Sequence, residues 1–326
     1  MAGTAILREW KNQGTTVAVA AMPDLPRDLP FYAFSSTSLG LFFVVFSQLL
    51  SFIWFMRYRF THIPAKYREF FTTVFCTPAF IAFYYLQLAR LFDEQSFFEK
   101  EGELHISLRF YLKISDVVLF TALIELLSSY QDTLTASMTE ILDPRLEYFP
   151  VSPSIARRKR FLDKTLLIIT TLIAGVCASL QFDLLSRERG LAGNWFWDIE
   201  RVAFCLDQLH DLVLFPTLTL DILITAFKLK SWLKRDDTVP NTQIDTVIYK
   251  LGPPLLSFAI YRSLFTWFIL PHWNSDFPTY QAVVGVIICG THHILIVRFL
   301  NRIARRVYRA VNTETPFVTS NGEVPV

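Results

Sequence analysis

The residues with chemistry to offer are concentrated in one apolar stretch, Phe204 to Asp221, which carries Asp207, His210, Asp211 and Asp221 among Leu, Phe and Val. At roughly 100° per residue, Asp207, His210 and Asp211 share one face of a helix, with Asp221 about 40° away from Asp207. Buried carboxyl and imidazole groups in such a stripe can move protons: one of a close carboxylate pair stays in its acid form as a donor, and a second carboxylate or His accepts. The opposite face, with Leu209, Val213, Leu220 and Phe227, is suited to lipid.

The surrounding chain decides what medium these groups occupy. Of 326 residues, 52% are hydrophobic, 15% aromatic and 18% charged, and the mean hydropathy is +0.35. That excludes an ordinary soluble domain and implies an integral membrane protein, all-α, because a helix satisfies its own backbone groups in hydrocarbon. Seven windows reach the roughly 20 apolar residues a bilayer requires: 33–56, 70–91, 108–130, 164–185, 201–227, 246–270 and 279–300. The expected organisation is a lumenal segment over 1–32, a seven-helix transmembrane domain over 33–310 and a disordered cytosolic tail over 311–326. The third span is expected to run on as a helix towards Leu142, and the stretch with Pro144, Pro150, Pro153 and Arg157 to Arg160 to form a loop.

Lys and Arg cluster on alternate connections, at Arg57 and Arg59, at Arg157 to Arg160, at Lys228 to Arg235, and at Arg302 to Arg309. The bias predicts a lumenal or extracellular N-terminus and a cytosolic C-terminus, with the endoplasmic reticulum as the expected membrane. The four cysteines fall inside apolar segments and read as free thiols.

With that topology, Asp116 of the third span, Asp207, His210 and Asp211 of the fifth, and Arg262 of the sixth share the outer half of the membrane, with Tyr84, Tyr85 and Arg90 of the second. Glu125, Asp221, His292 and His293 fall deeper. A charged residue at the bilayer centre costs about 2.5 to 3.5 kcal/mol on insertion scales, so these groups must face protein or water. The simplest pairing is Arg262 with Asp207 or Asp211, holding helices together; so many ionisable groups exceed what association requires.

No metal or other cofactor is expected. The adjacent His292 and His293 have no further histidine at helical spacing, so no multi-histidine box can be assembled. Asp207-x-x-x-Asp211 is similar to one of the two aspartate motifs of Mg²⁺-diphosphate prenyltransferases, but their Asn-Asp-x-x-Asp partner is missing. No phosphate loop, nucleophile elbow or nucleic-acid face occurs.

Two readings fit. Seven spans with an external N-terminus match G-protein-coupled receptors, yet the third span ends in Ser128-Ser-Tyr-Gln-Asp132 rather than Asp/Glu-Arg-Tyr, and the seventh lacks Asn-Pro-x-x-Tyr. An intramembrane enzyme is the stronger expectation, since 31 Phe, 12 Tyr and 7 Trp can stabilise a migrating cation next to buried acids. In length, span number, aromatic load and the in-span acids Asp116, Glu125, Asp207 and Asp211, the chain resembles the small seven-span membrane terpene cyclases of fungal meroterpenoid pathways, most nearly the ascochlorin- and macrophorin-type group. The resemblance implies metal-free cyclisation of a prenylated, epoxidised lipophilic substrate that enters from the bilayer. The expected site is Asp116, Glu125, Asp207, His210 and Asp211 as proton-transfer groups, with Tyr84, Tyr85, Arg262 and Trp267 facing the substrate and its cation. No obligate protein partner and no nucleic acid is expected.

Overall fold

The computed structural model describes residues 29–57, 59, 63–90, 97–140, 153–188, 194–233, 242–264 and 278–314, and among them every regular element is a helix. The helices are α1 (Leu29–Met56), α2 (Ala65–Arg90), α3 (Phe97–Glu140), α4 (Pro153–Glu188), α5 (Asn194–Leu209), α6 (Phe215–Leu233), α7 (Thr242–Thr246), α8 (Gly252–Leu264) and α9 (Pro278–Glu314). Five stretches are long and apolar enough to cross a membrane: Ala33–Met56, Tyr67–Ala89, Arg157–Leu180, Val202–Trp232 and Val283–Ala310. Large side chains such as Phe43, Leu162, Leu172 and Phe227 stay exposed along them, an arrangement suited to lipid. Leu209, Val213 and Leu220 join that outer face, as their phase on the helix predicts.

Two π-helical turns join the shorter helices. His210–Leu214 links α5 to α6, the Phe215 N–H reaching back to the His210 carbonyl, and Val247–Leu251 links α7 to α8, with Gly252 N–H on the Val247 carbonyl. Each turn ends just before proline, Pro216 in one case and Pro253-Pro254 in the other. Proline lacks an N–H and its ring crowds the carbonyl four residues back, so an α-helical bond is lost there; widening the turn by one residue relieves the crowding without breaking the rod.

The long helix α3 sits inside the bundle, packed against α2, α4 and α6. Its residues Leu119, Phe120, Ala122, Leu123, Ile124, Leu126 and Leu127 are all buried. Helix α8 lies similarly between α6 and α9. These two carry Asp116 and Arg262, and interior placement makes such charges tolerable. α3 continues to Glu140, close to the expected Leu142. The expected loop through Arg157–Arg160 is instead the first turns of α4, which starts at Pro153, a residue suited to a helix's first turn. Helix α9 likewise continues well beyond residue 300, to Glu314.

α1 and α9 cross closely at Gly290, where a Cβ would lie 2.4 and 2.5 Å from the two methyls of Leu41. Overpacking of this kind costs about 1–3 kcal/mol. Gly290→Ala is therefore expected to lower the melting temperature of the detergent-solubilised protein, and Leu41→Ala in the same chain to recover most of the loss. An unchanged melting temperature in the single variant would show that the Leu41 side chain swings aside without cost.

Candidate functional site

Three rods converge on Arg262. Helix α3 supplies Asp116, α8 supplies Arg262 itself, and the π-turn between α5 and α6 supplies His210 and Asp211. Arg262 donates from Nη1 to Asp116 Oδ2 and from Nη2 to Asp211 Oδ1, the second bond at 2.6 Å. His210 Nδ1 lies 2.9 Å from the same Asp211 Oδ1, and a carboxylate oxygen can only accept there, so Nδ1 carries the hydrogen. Asp116, His210 and Arg262 are all buried, and Asp211 is largely so.

With Nδ1 committed to Asp211, His210 has Nε2 left, and this atom is buried with no hydrogen-bond partner among the described residues. An imidazole oriented by a carboxylate on one nitrogen and bare on the other is the arrangement of a proton-transfer group. Charge counting agrees. Arg262 contributes one positive charge against the two carboxylates of Asp116 and Asp211, so the cluster reaches neutrality with one further proton. Burial in a low-dielectric interior makes a net charge costly, which favours that proton being held within the group.

Aromatic rings close the site. The Arg262 guanidinium lies 4.6 Å from the centroid of Phe215 and 5.6 Å from that of Phe258. Phe215 meets Phe120 edge-on at 5.1 Å and Phe258 at 5.5 Å. Beyond Phe258 stands His293, ring to ring at 5.0 Å, with Nδ1 2.8 Å from the Tyr85 hydroxyl. His293 Nε2 is a second buried ring nitrogen without a partner among the described residues.

The expected site residues thus separate. Asp116, His210, Asp211 and Arg262 come together; Tyr85 joins through His293, and Tyr84 packs edge-on against Tyr85 at 5.0 Å. Asp207 is not bonded to Arg262. It pairs with Lys113 of α3 and lies 3.9 Å from the Cys177 sulfur on α4. Arg262 pairs instead with Asp116 of α3 and with Asp211 in the π-turn. Glu125 belongs to an inner layer: it follows Asp116 by nine residues, about 13 Å along α3, and pairs with Lys164 at 3.3 Å. Asp221 is in that layer too, 2.6 Å from Lys159, which also binds Asp163, beside a cleft of about 230 Å³ that includes open space and is lined by Ser128 and Gln131. Trp267 lies outside the described residues, as do residues 1–28 and 315–326, which make up most of the expected lumenal segment and tail. So does the side chain of Arg90.

Reasoning from sequence missed Lys113, although a lysine three residues before Asp116 in an apolar run was the available signal. It also set His293 deeper than Tyr85, whereas the two are bonded. Among the described residues no three His, Cys, Asp or Glu side chains gather as a metal set would. No family model, characterised protein or solved structure matches the chain.

Removing one partner from a buried pair costs about 3–5 kcal/mol, while replacing the whole group by apolar residues is near neutral or stabilising. Arg262→Met is expected to lower the melting temperature sharply, and Arg262→Met combined with Asp116→Leu and Asp211→Leu to restore it. A single variant as stable as the wild type would show that these charges are not paired in the folded protein.

Proposed function

We propose that the chain is a membrane-embedded acid–base enzyme of the terpene-cyclase type, acting on a prenylated, epoxidised lipophilic substrate. The observation that carries this reading is the bare, buried Nε2 of His210, oriented by Asp211 within a charge cluster that is neutral when one extra proton is bound. The acid is then the His210 imidazolium, with Asp211 as its orienting partner and Arg262 with Asp116 balancing the charge. This differs from a free carboxylic acid, since both carboxylates are bonded to Arg262.

The chemistry balances without a metal. Nε2–H passes to the epoxide oxygen, the carbon–oxygen bond breaks, and the electron-poor carbon is attacked by a neighbouring alkene of the prenyl chain. Each new carbon–carbon bond moves the positive charge along the chain, where the faces of Phe120, Phe215 and Phe258 lower its energy. Loss of a proton from the last cation restores an alkene, and the unbonded nitrogen of His293 is the acceptor we assign, in the tautomer in which Nε2 carries no hydrogen. The substrate's apolar body is suited to entry from the bilayer. In this reading all seven rods cross the membrane, α3 and the joined α7–α8 as interior spans, with the N-terminus lumenal, the C-terminus cytosolic and the endoplasmic reticulum as the host membrane.

A positioned general acid contributes about 10²–10⁴-fold. In microsomes supplied with a farnesylated aromatic epoxide, His210→Gln and Asp211→Asn are expected to lose at least about 100-fold of the turnover to cyclised product. Glu125→Gln, in the inner layer, is expected to remain within a few fold of wild type. Full turnover in His210→Gln would remove the assignment of the acid; ligand-dependent G-protein coupling with no cyclised product would replace the enzyme reading with a receptor. Glycosylation acceptor tags at the two termini test the orientation, and modification of the C-terminal tag would reverse it.

A further inference from the structure

The end of the bundle where α1 stops and α9 continues gathers arginines on aromatic rings rather than on carboxylates. Lys113, Lys159, Arg160, Lys164, Lys230 and Arg262 each pair with a carboxylate. Arg59, Arg298, Arg302 and Arg305 have no carboxylate partner among the described residues. Arg298, Arg302 and Arg305, followed by Arg309, recur at steps of four, three and four, so they form one stripe along α9. Arg298, Arg302 and Arg309 are exposed on it, and Arg305 is half-buried.

The stripe is held in place by α1. Arg305 donates from Nη2 to Ser51 Oγ at 2.7 Å and lies 5.2 Å from the Phe55 ring, while its Nε is buried without a partner. Arg59 donates to the Phe55 carbonyl at 3.1 Å and lies over the Phe55 and Tyr308 rings, at 4.5 and 5.6 Å. Two guanidinium groups are thus held against the Phe55 ring before any ligand arrives, which lowers the ordering cost of binding an anion. Next to them on α1, Leu50 and Trp54 are exposed, Trp54 to 79%.

We propose that this α1–α9 edge is a binding site for an anionic phospholipid, with Arg59, Arg302 and Arg305 on the headgroup phosphate and the acyl chains against Leu50 and Trp54. Guanidinium groups suit phosphate because they donate two hydrogen bonds in one plane. The adjoining apolar surface, on helices long and apolar enough to cross a membrane, selects a lipid over a soluble phosphate. The site is remote from Arg262 in function, so it stands whether or not the chain is a cyclase.

The full chain, purified into nanodiscs of phosphatidylcholine with or without phosphatidylserine, tests this by native mass spectrometry of the lipid retained. Wild type is expected to retain phosphatidylserine in preference to phosphatidylcholine, and each arginine converted to glutamine, in Arg302→Gln and in Arg302→Gln/Arg305→Gln, to lower that retention about fivefold. Arg158→Gln, exposed at the start of α4, is expected to change nothing. Equal retention of the two lipids by wild type, unchanged retention in Arg302→Gln, or displacement of the lipid by inorganic phosphate would each overturn the proposal. Arg302 is exposed and its ring contact is with Phe299 of its own helix, so the single variant reports even where the double variant folds poorly.

Discussion

Arg262 has to be neutralised where it stands, and much of the bundle's interior follows from that requirement. A guanidinium buried among Phe215 and Phe258 is tolerable only with anions on its donors, and the anions come from two other rods, Asp116 on α3 and Asp211 on the α5–α6 turn. The pairing fixes the rotation of three rods relative to one another, because turning any of them away would strand a charge in a low-dielectric interior. Apolar packing alone would leave those rotations loosely specified, since lipid tails and leucine side chains are interchangeable neighbours for a helix in a bilayer.

One of the two anions on Arg262 is carried by the π-turn at His210–Leu214. Asp207 stands in the last turn of α5 and Asp211 in the π-turn itself, so the two carboxylates meet different cations. Asp207 pairs with Lys113 and Asp211 reaches Arg262, and His210 is turned into the core with one nitrogen bonded and the other bare. Pro216 supplies the reason for the widened turn, and the consequence is a proton-transfer geometry at the point where helical hydrogen bonding is already irregular. Structural pairing and reactive potential therefore belong to one cluster here, and the unbonded ring nitrogen is what distinguishes it from a simple ionic tie.

The layer around Lys159 solves a different problem. Lys159 with Asp163 and Asp221, Arg160 with Asp132, and Lys164 with Glu125 lace α4 to α3 and α6. Charges there are nearer to water and pair as they are reached, many of them partly exposed. On the α9 stripe, Arg298, Arg302 and Arg305 meet no carboxylate among the described residues, and the phospholipid proposed there would supply the counter-ion.

Composition and hydropathy were sufficient for the all-helical character and for stretches long and apolar enough to cross a membrane, and the first two apolar windows fall within about five residues of α1 and α2, while α3, α4 and α9 run ten or more residues past their windows at one end or both. The outward face of Leu209, Val213, Leu220 and Phe227 was equally legible, being a matter of helical phase over a few turns. What phase could not provide was partner identity. A 100° rule places Asp207 and Asp211 on one face but says nothing of which cation each meets, and Lys113 and Arg262 come from two other helices. Lys113 on Asp207, Asp116 on Arg262, and Tyr85 on His293 are contacts between residues 94, 146 and 208 positions apart, set by how whole rods lean on one another. Local sequence thus determined which side chains could do chemistry and that they would be withdrawn from lipid, while only the tertiary packing decided which of them would neutralise each other and that His210 Nε2 would be left bare.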